Sequence, residues 1–288
     1  MKPLRIGTCS WKYPSWVDLV YSSERPSNFL EEYAERYDTV EIDQWFWSLF
    51  DRGNVVLPKP DTVAEYVSSV PEDFIFTVKV PNSITLTHLY SRYTGGALIE
   101  NEHFLSVDLL KRFLELLEPM RSRLGSIMFQ FEYLNRRKMG SSSEFLDRIK
   151  AFFDEAPRGY QYALEPRNPL YLNERYFAFI GDMNLSHVFI QGYYMPEISG
   201  VYAPYAALIE RSSVIRLHGY DRKAIEKKTG KRYDRIVEPQ DEELPGVITM
   251  IQDMRKRGIT VFLNVNNHYE GSAPLTITKI RSALSQGD

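Results

Sequence analysis

The chain has 288 residues, 43% of them hydrophobic and 25% charged, with a formal net charge of −3, which is the composition of a soluble globular protein with a sizeable core. That balance excludes a global basic field able to hold DNA or an anionic membrane non-specifically, although a local basic patch is compatible with it. Cys9 is the only cysteine, which excludes an internal disulfide and a cysteine-based zinc site.

The opening M-K-P-L-R-I-G-T carries no apolar leader, and no uncharged run is long enough to span a bilayer, so a cytoplasmic protein with no membrane partner is expected. The first β-like run, L-R-I-G-T-C-S-W (4–11), is followed by a helical period over 28–37 and a second strand, T-V-E-I-D-Q-W (39–45). All four tryptophans (Trp11, Trp16, Trp45 and Trp47) fall in this opening part. A third strand (74–80) leads into an excursion (82–104), which with the later one at 192–212 is rich in Tyr, Gly, Pro and Ser, and then a helix (105–118). Strand four (126–131), a helix (143–153), strand five (160–167) and strand six (187–191) come next. A second excursion (192–212) precedes strand seven (214–219), and a basic segment (222–235) precedes a helix (245–257) and strand eight (260–266). Gly125 and Gly258 stand where C-terminal glycine stops of helices are expected. Eight strand–helix alternations predict an α/β protein, a single (β/α)8 TIM-type barrel domain over 1–288 with long βα loops after strands 3, 6 and 7.

Side chains alternate across a strand. The apolar sets, such as Val40 and Ile42 or Val261, Leu263 and Val265, must pack beneath the helices. The opposite parity then faces the barrel interior. It comprises Cys9 and Trp11 in strand one, Glu41, Asp43 and Trp45 in strand two, Thr77 and Lys79 in strand three, and Met128 and Gln130 in strand four. Glu165 and Arg167, Arg216 and His218, and Asn264 and Asn266 continue it. Branched aliphatics usually fill this space. Here it reads as polar and charged, crowded toward the C-terminal strand ends where barrel enzymes build their sites. Asn267 and His268 begin the loop above it.

So many ionisable groups converging on one mouth point to a functional site. Glu41 and Glu165 face each other across the barrel, as the acid and base of a glycosidase would. Arg167, Arg216 and Lys79 can instead hold both glutamates ionised in salt bridges, and that reading is preferred. No metal-ligand spacing appears and no cofactor is implied, with room left for a single divalent metal. The basic segment after strand seven, Gly271 and Pro274 in the strand-eight loop, and Arg136, Arg137 and Lys138 after strand four suit an anionic ligand. Tyr193, Tyr194, Tyr202 and Tyr205 suit stacking on bases or sugars.

The stretches G-T-C-S-W-K-Y-P-S-W, T-V-E-I-D-Q-W-F-W, L-G-S-I-M-F-Q-F, A-L-E-P-R-N-P, I-R-L-H-G and N-V-N-N-H-Y-E-G-S-A-P, in this order along nearly the whole chain, resemble the YecE-like family, also called domain of unknown function 72. The resemblance implies a TIM barrel, similar to endonuclease IV-like and xylose isomerase-like barrels, and with it nucleic-acid binding by fold analogy. Two mouth stretches depart from the family pattern. E-I-N-S-T-F-Y becomes Glu41-Ile42-Asp43-Gln44-Trp45-Phe46-Trp47, and Q-x-P-P becomes Gln130-Phe131-Glu132-Tyr133.

The leading expectation is a hydrolase acting on a phosphate-bearing ligand, an anionic small molecule or nucleic acid. Arg216, Arg167 and Lys79 neutralise the anion, and Asn264, Asn266 and Gln130 orient it. His218 or Glu165 moves protons, while Trp11 and Trp45 stack on a base or sugar. On this expectation Arg216→Ala removes binding and spares the fold. The alternatives are a carbohydrate-active enzyme using Glu41 and Glu165, and a non-catalytic ligand-binding barrel.

Overall fold

The structure is a computed structural model that describes residues 3–286. Eight parallel strands form one sheet: β1 (Leu4–Thr8), β2 (Thr39–Ile42), β3 (Ile75–Lys79), β4 (Leu124–Gln130), β5 (Tyr162–Glu165), β6 (Ser186–Gly192), β7 (Ser212–Gly219) and β8 (Thr260–Val265). Their order is β1-β8-β7-β6-β5-β4-β3-β2, with helices between successive strands, so the sheet curls into a (β/α)8 barrel.

The seam between β1 and β2 is held differently from the other strand pairs. A single parallel bridge joins Cys9 to Glu41, and Ser10 N–H donates to the Glu41 carbonyl at 3.1 Å. Lower down, the Tyr33 hydroxyl accepts from Thr8 N–H at 2.9 Å and donates to the Thr39 carbonyl at 3.0 Å, spanning two strands that do not pair directly there. Arg5 adds a bond from Nη1 to the Asp38 carbonyl at 2.9 Å.

The alternation read from the sequence sets the layers. Outward apolar residues such as Val40, Val78, Phe129, Leu164, Ile215 and Leu263 join the helices in one large buried core. The lower half of the barrel interior is a separate apolar plug of Ile75, Met128, Ala163, Val188, Val214 and Phe262. Above the plug the next inward residues are Glu41, Thr77, Glu165, Arg216 and Asn264, while the buried Arg5, in register with Phe262, and Thr39, in register with Ile75, are polar residues at the level of the plug itself.

Some sequence expectations fail for local reasons. Gly125 is not a helix stop but lies inside β4, where an added Cβ would come within 2.6 Å of both Ile75 and the Phe262 ring. The excursion 192–212 contains the helix Ile198–Tyr205, whose period is obscured by its short length and by Gly200 and Pro204. β1 stops at Thr8 because Ser10 takes φ +70°, and β5 stops at Glu165 because Pro166 has no N–H to continue a ladder. The basic run after β7 begins as a helix, Arg222–Thr229, capped by Asp221 and ended by Gly230 at φ +60°.

Candidate functional site

Strand register brings the polar residues together. Arg216 pairs in register with Asn264, Glu41 with Thr77, and Gln130 with Glu165. Arg216, 1% exposed, lies at the centre. Its Nε and Nη2 each donate to Glu41 at 2.8 Å, and Nη1 donates to Glu165 Oε2 at 2.5 Å. Arg167 grips the other Glu165 oxygen through Nε at 2.6 Å. Asn264 Nδ2 donates to Glu41 Oε2 at 3.2 Å and to Thr77 Oγ1 at 3.0 Å, while its Oδ1 has no hydrogen-bond partner.

The two glutamates that face each other across the barrel are thus joined through one guanidinium. Burial raises the carboxyl pKa of Glu165, but Arg167, Arg216 and Lys79 outweigh it and hold that carboxyl at about 2. Glu165 is ionised at neutral pH, so it is not a proton donor there. Three of the Arg216 N–H groups go to carboxylates and a further Nη1 bond reaches Gln130 Oε1 at 3.4 Å, so most of its donors are already engaged.

Lys79 is a different case. It is 7% exposed, and its ammonium sits 3.9 Å above the centre of the Phe46 ring. It makes no ion pair or side-chain hydrogen bond among the described residues. Burial first, and then the like charge of Arg216, lower its pKa to about 8. Asp43, half-buried just after β2, likewise makes no side-chain hydrogen bond or ion pair among the described residues. Its pKa is raised by burial and by Glu41.

On the opposite wall, His218 Nδ1 meets the Tyr193 hydroxyl at 3.0 Å, and Nε2 lies 3.4 Å from Cys9 Sγ. Burial and the neighbouring Arg216, Arg167 and Lys79 push this imidazole well below its ordinary pKa, so it is neutral at pH 7. Tyr193 also stacks on the Arg167 guanidinium at 4.5 Å. It reaches this position through an uncommon turn in which Gly192, Tyr193 and Tyr194 all have positive φ, at +121°, +54° and +63°. Cys9 Sγ, a Glu41 oxygen and a His218 nitrogen lie within 4.8 Å of one another. Both Glu41 oxygens already accept from Arg216, so an ion at this grouping would abut a guanidinium.

Not every predicted residue reaches the mouth. The alternation Glu41–Asp43–Trp45 breaks after Asp43, because a 3-10 turn over Gln44–Phe46 rotates Trp45 outward. Trp45 (9% exposed) stacks on Tyr66 at 5.7 Å, and Trp11 (1%) packs edge-on against the same ring at 5.0 Å, so neither presents an open face for stacking. Trp47 is the exposed indole, at 63%. Asn267 lies beneath the strand-eight loop, where Oδ1 accepts from Trp16 Nε1 at 3.2 Å and Ala273 N–H at 2.9 Å. His268 contacts Tyr233 at 3.2 Å and Glu226 at 3.4 Å, and Asn266 Oδ1 accepts from His268 N–H at 2.9 Å. Phe46 was not anticipated; it marks where Trp45 was expected. The specific placement of Tyr193 could not be read from sequence either, since positive φ at a tyrosine has no sequence signal.

On the rim, Arg136 and Arg137 are exposed and make no side-chain hydrogen bond or ion pair among the described residues, whereas Lys138 pairs with Glu132 at 2.6 Å. With His88, Asn101 and Arg148 these residues line a cleft of about 490 Å³ between the loops after β3 and β4. Among the described residues, no helix is long and apolar enough to cross a membrane.

Comparison with known proteins agrees with the barrel. Residues 5–288 match the family described as protein of unknown function DUF72. The UPF0759 protein YecE of Escherichia coli K12 is 28% identical over 165 residues, covering 57% of this chain and 48% of that protein. The matched segment thus spans about half the length of that curated relative. A DUF72 family protein from Enterococcus faecalis V583 superposes with a TM-score of 0.68 at 21% identity, covering 98% of this chain and 95% of the other. One from Thermotoga maritima MSB8 gives 0.67 at 20%, covering 98% and 99%. The chain belongs to the DUF72 family.

Proposed function

We propose that this DUF72-family barrel binds a phosphate-bearing ligand, a single nucleic-acid strand being one such ligand, across the C-terminal face of the barrel. One observation carries the reading: Arg136 and Arg137, on the edge of a cleft at that face whose lining also holds Glu100, Glu102 and Glu144, make no ion pair among the described residues, in a chain whose net charge is −3. Arg148, on the same cleft, is by contrast paired with Glu144 at 2.9 Å. An unpaired adjacent pair can offer bidentate donors to phosphate oxygens. The basic helix Arg222–Thr229, which follows β7, supplies Lys223 and Lys227, which also make no ion pair among the described residues.

In this reading Arg216 fixes the two glutamates and is not the anion's partner. Hydrolytic chemistry would draw on the neutral His218 imidazole as base and on Asp43, not on the ionised Glu165.

The test is a titration with a short single-stranded oligonucleotide at two salt concentrations, with a mononucleotide and a neutral oligosaccharide alongside, following emission from the exposed Trp47. The reading expects saturable binding of the phosphate ligands that weakens with salt and is reduced in Arg136→Ala/Arg137→Ala. Binding of the oligosaccharide alone, or phosphate binding that ignores both arginines, overturns it.

A further inference from the structure

We propose that Lys79 is a nucleophile that forms an imine with an aldehyde or ketone ligand in the barrel mouth. The inference rests on the reading that the mouth is the ligand-binding end, and it adds a reacting group and a substrate class.

Lys79 lacks a paired carboxylate among the described residues. A buried ammonium is ordinarily retained by a carboxylate that offsets its desolvation. The two buried carboxylates nearest in register, Glu41 and Glu165, are committed to Arg216 and Arg167 at 2.5–2.8 Å. What Lys79 has is the face of Phe46 at 3.9 Å. An aromatic face gives a cation weak support and leaves a neutral amine's lone pair unoccupied. The burial and neighbouring positive charge that lower its pKa to about 8 leave a useful fraction uncharged near neutrality. Lysines are activated as nucleophiles in such environments.

The neighbours match the steps that follow. Ile42 pairs in register with Val78, so Asp43, the residue that follows β2, comes beside Lys79. Lys79 pairs with Met128, so Gln130 is the next inward residue above it on β4. Gln130 uses its Oε1 to accept from Arg216, at 3.4 Å, and keeps its Nε2 amide donor for a ligand oxygen. In the reaction the Lys79 nitrogen lone pair attacks the carbonyl carbon, and the C=O pair moves onto oxygen, which takes a proton. The carbinolamine then loses that oxygen as water, with a proton supplied through Asp43, as the C=N bond forms. One amine and one carbonyl give one imine and one water, and nothing is oxidised or reduced.

The experiment treats the whole protein with borohydride in the presence of glycolaldehyde, pyruvate or glyceraldehyde 3-phosphate, followed by intact-mass and peptide mapping. The expected result is one adduct per chain, at Lys79, with at least one of these probes, and its loss in Lys79→Arg. The arginine variant keeps the positive charge, and a melting curve checks its fold. Adducts spread over surface lysines at equal rates in both proteins, or no Lys79 adduct with any probe, overturn the proposal. The two readings fail separately. Lys79→Arg should still bind the oligonucleotide through Arg136 and Arg137. Trapping by uncharged glycolaldehyde alongside absent phosphate binding would leave the imine standing and remove the anion reading.

Discussion

Replacing Arg216 with Met tests whether this residue is a strut or a ligand contact. The side chain is 1% exposed and makes three bonds of 2.5–2.8 Å to two carboxylates that are themselves no more than 1% exposed. Glu165 would keep Arg167, but Glu41 would be left with Asn264 and the Cys9 thiol. Removing one partner of a buried ion pair costs about 3–5 kcal/mol, because a charge is stranded in low dielectric. With an unfolding entropy of about 2 cal/mol/K per residue, 288 residues convert that to a fall in melting temperature of roughly 5–8 °C. Near-UV circular dichroism during a thermal scan reads this directly. Adding Glu41→Gln to Arg216→Met should recover part of the loss, since the stranded charge is then gone. A single variant that melts within about 1 °C of the parent, on this same entropy scale, would refute the strut reasoning. The sequence-based expectation that Arg216→Ala spares the fold is replaced by this one.

Other expectations follow from individual residues. The Glu165 carboxyl, held at about 2 against an ordinary 4.5, favours the folded state when ionised. Its contribution is complete above pH 4.5 and is lost as pH falls toward 2, so urea unfolding of Glu165→Gln should change less across that window than the parent's does. Gly219 has φ +75°, and an added Cβ would sit 2.3 Å from the His268 carbonyl oxygen. Gly219→Ala should therefore cost at least about 2 kcal/mol in chemical denaturation, and a neutral effect would mean that β7 and the strand-eight loop separate easily. Arg136→Ala/Arg137→Ala should lower the slope of log affinity against log salt for single-stranded DNA by about 1.4, two phosphate contacts at ~0.7 each; an unchanged slope would place the phosphates elsewhere.

The barrel and most of the polar ring were legible because a strand's period of two is rigid. Once Val40 and Ile42 face the helices, Glu41 must face inward, and the same holds for Lys79, Glu165, Arg216 and Asn264. The pattern is informative only while the strand lasts. It misplaced Trp45, since nothing in Asp43-Gln44-Trp45 announces a 3-10 turn. It also could not distinguish an apolar floor from a polar ceiling within one strand; that difference depends on register between strands, as in Val188 beside Val214 below and Ile190 beside Arg216 above. Partner choice was less legible still. Mixed charges in the ring implied salt bridges, but only the geometry assigns both glutamates to Arg216 and leaves Lys79 over Phe46. Tyr33, which closes the β1–β2 seam, comes from a helix 25 residues beyond Thr8, a contact that periodicity does not encode.

The most direct test of the ligand-binding reading is a crystal of the protein soaked with a 5′-mononucleotide. Density for the phosphate is expected within hydrogen-bonding distance of Arg136 or Arg137 at the C-terminal face, with Arg216 still bonded to Glu41 and Glu165. Phosphate density on Arg216 with the glutamate bonds broken, or only at the opposite end of the barrel, would contradict it.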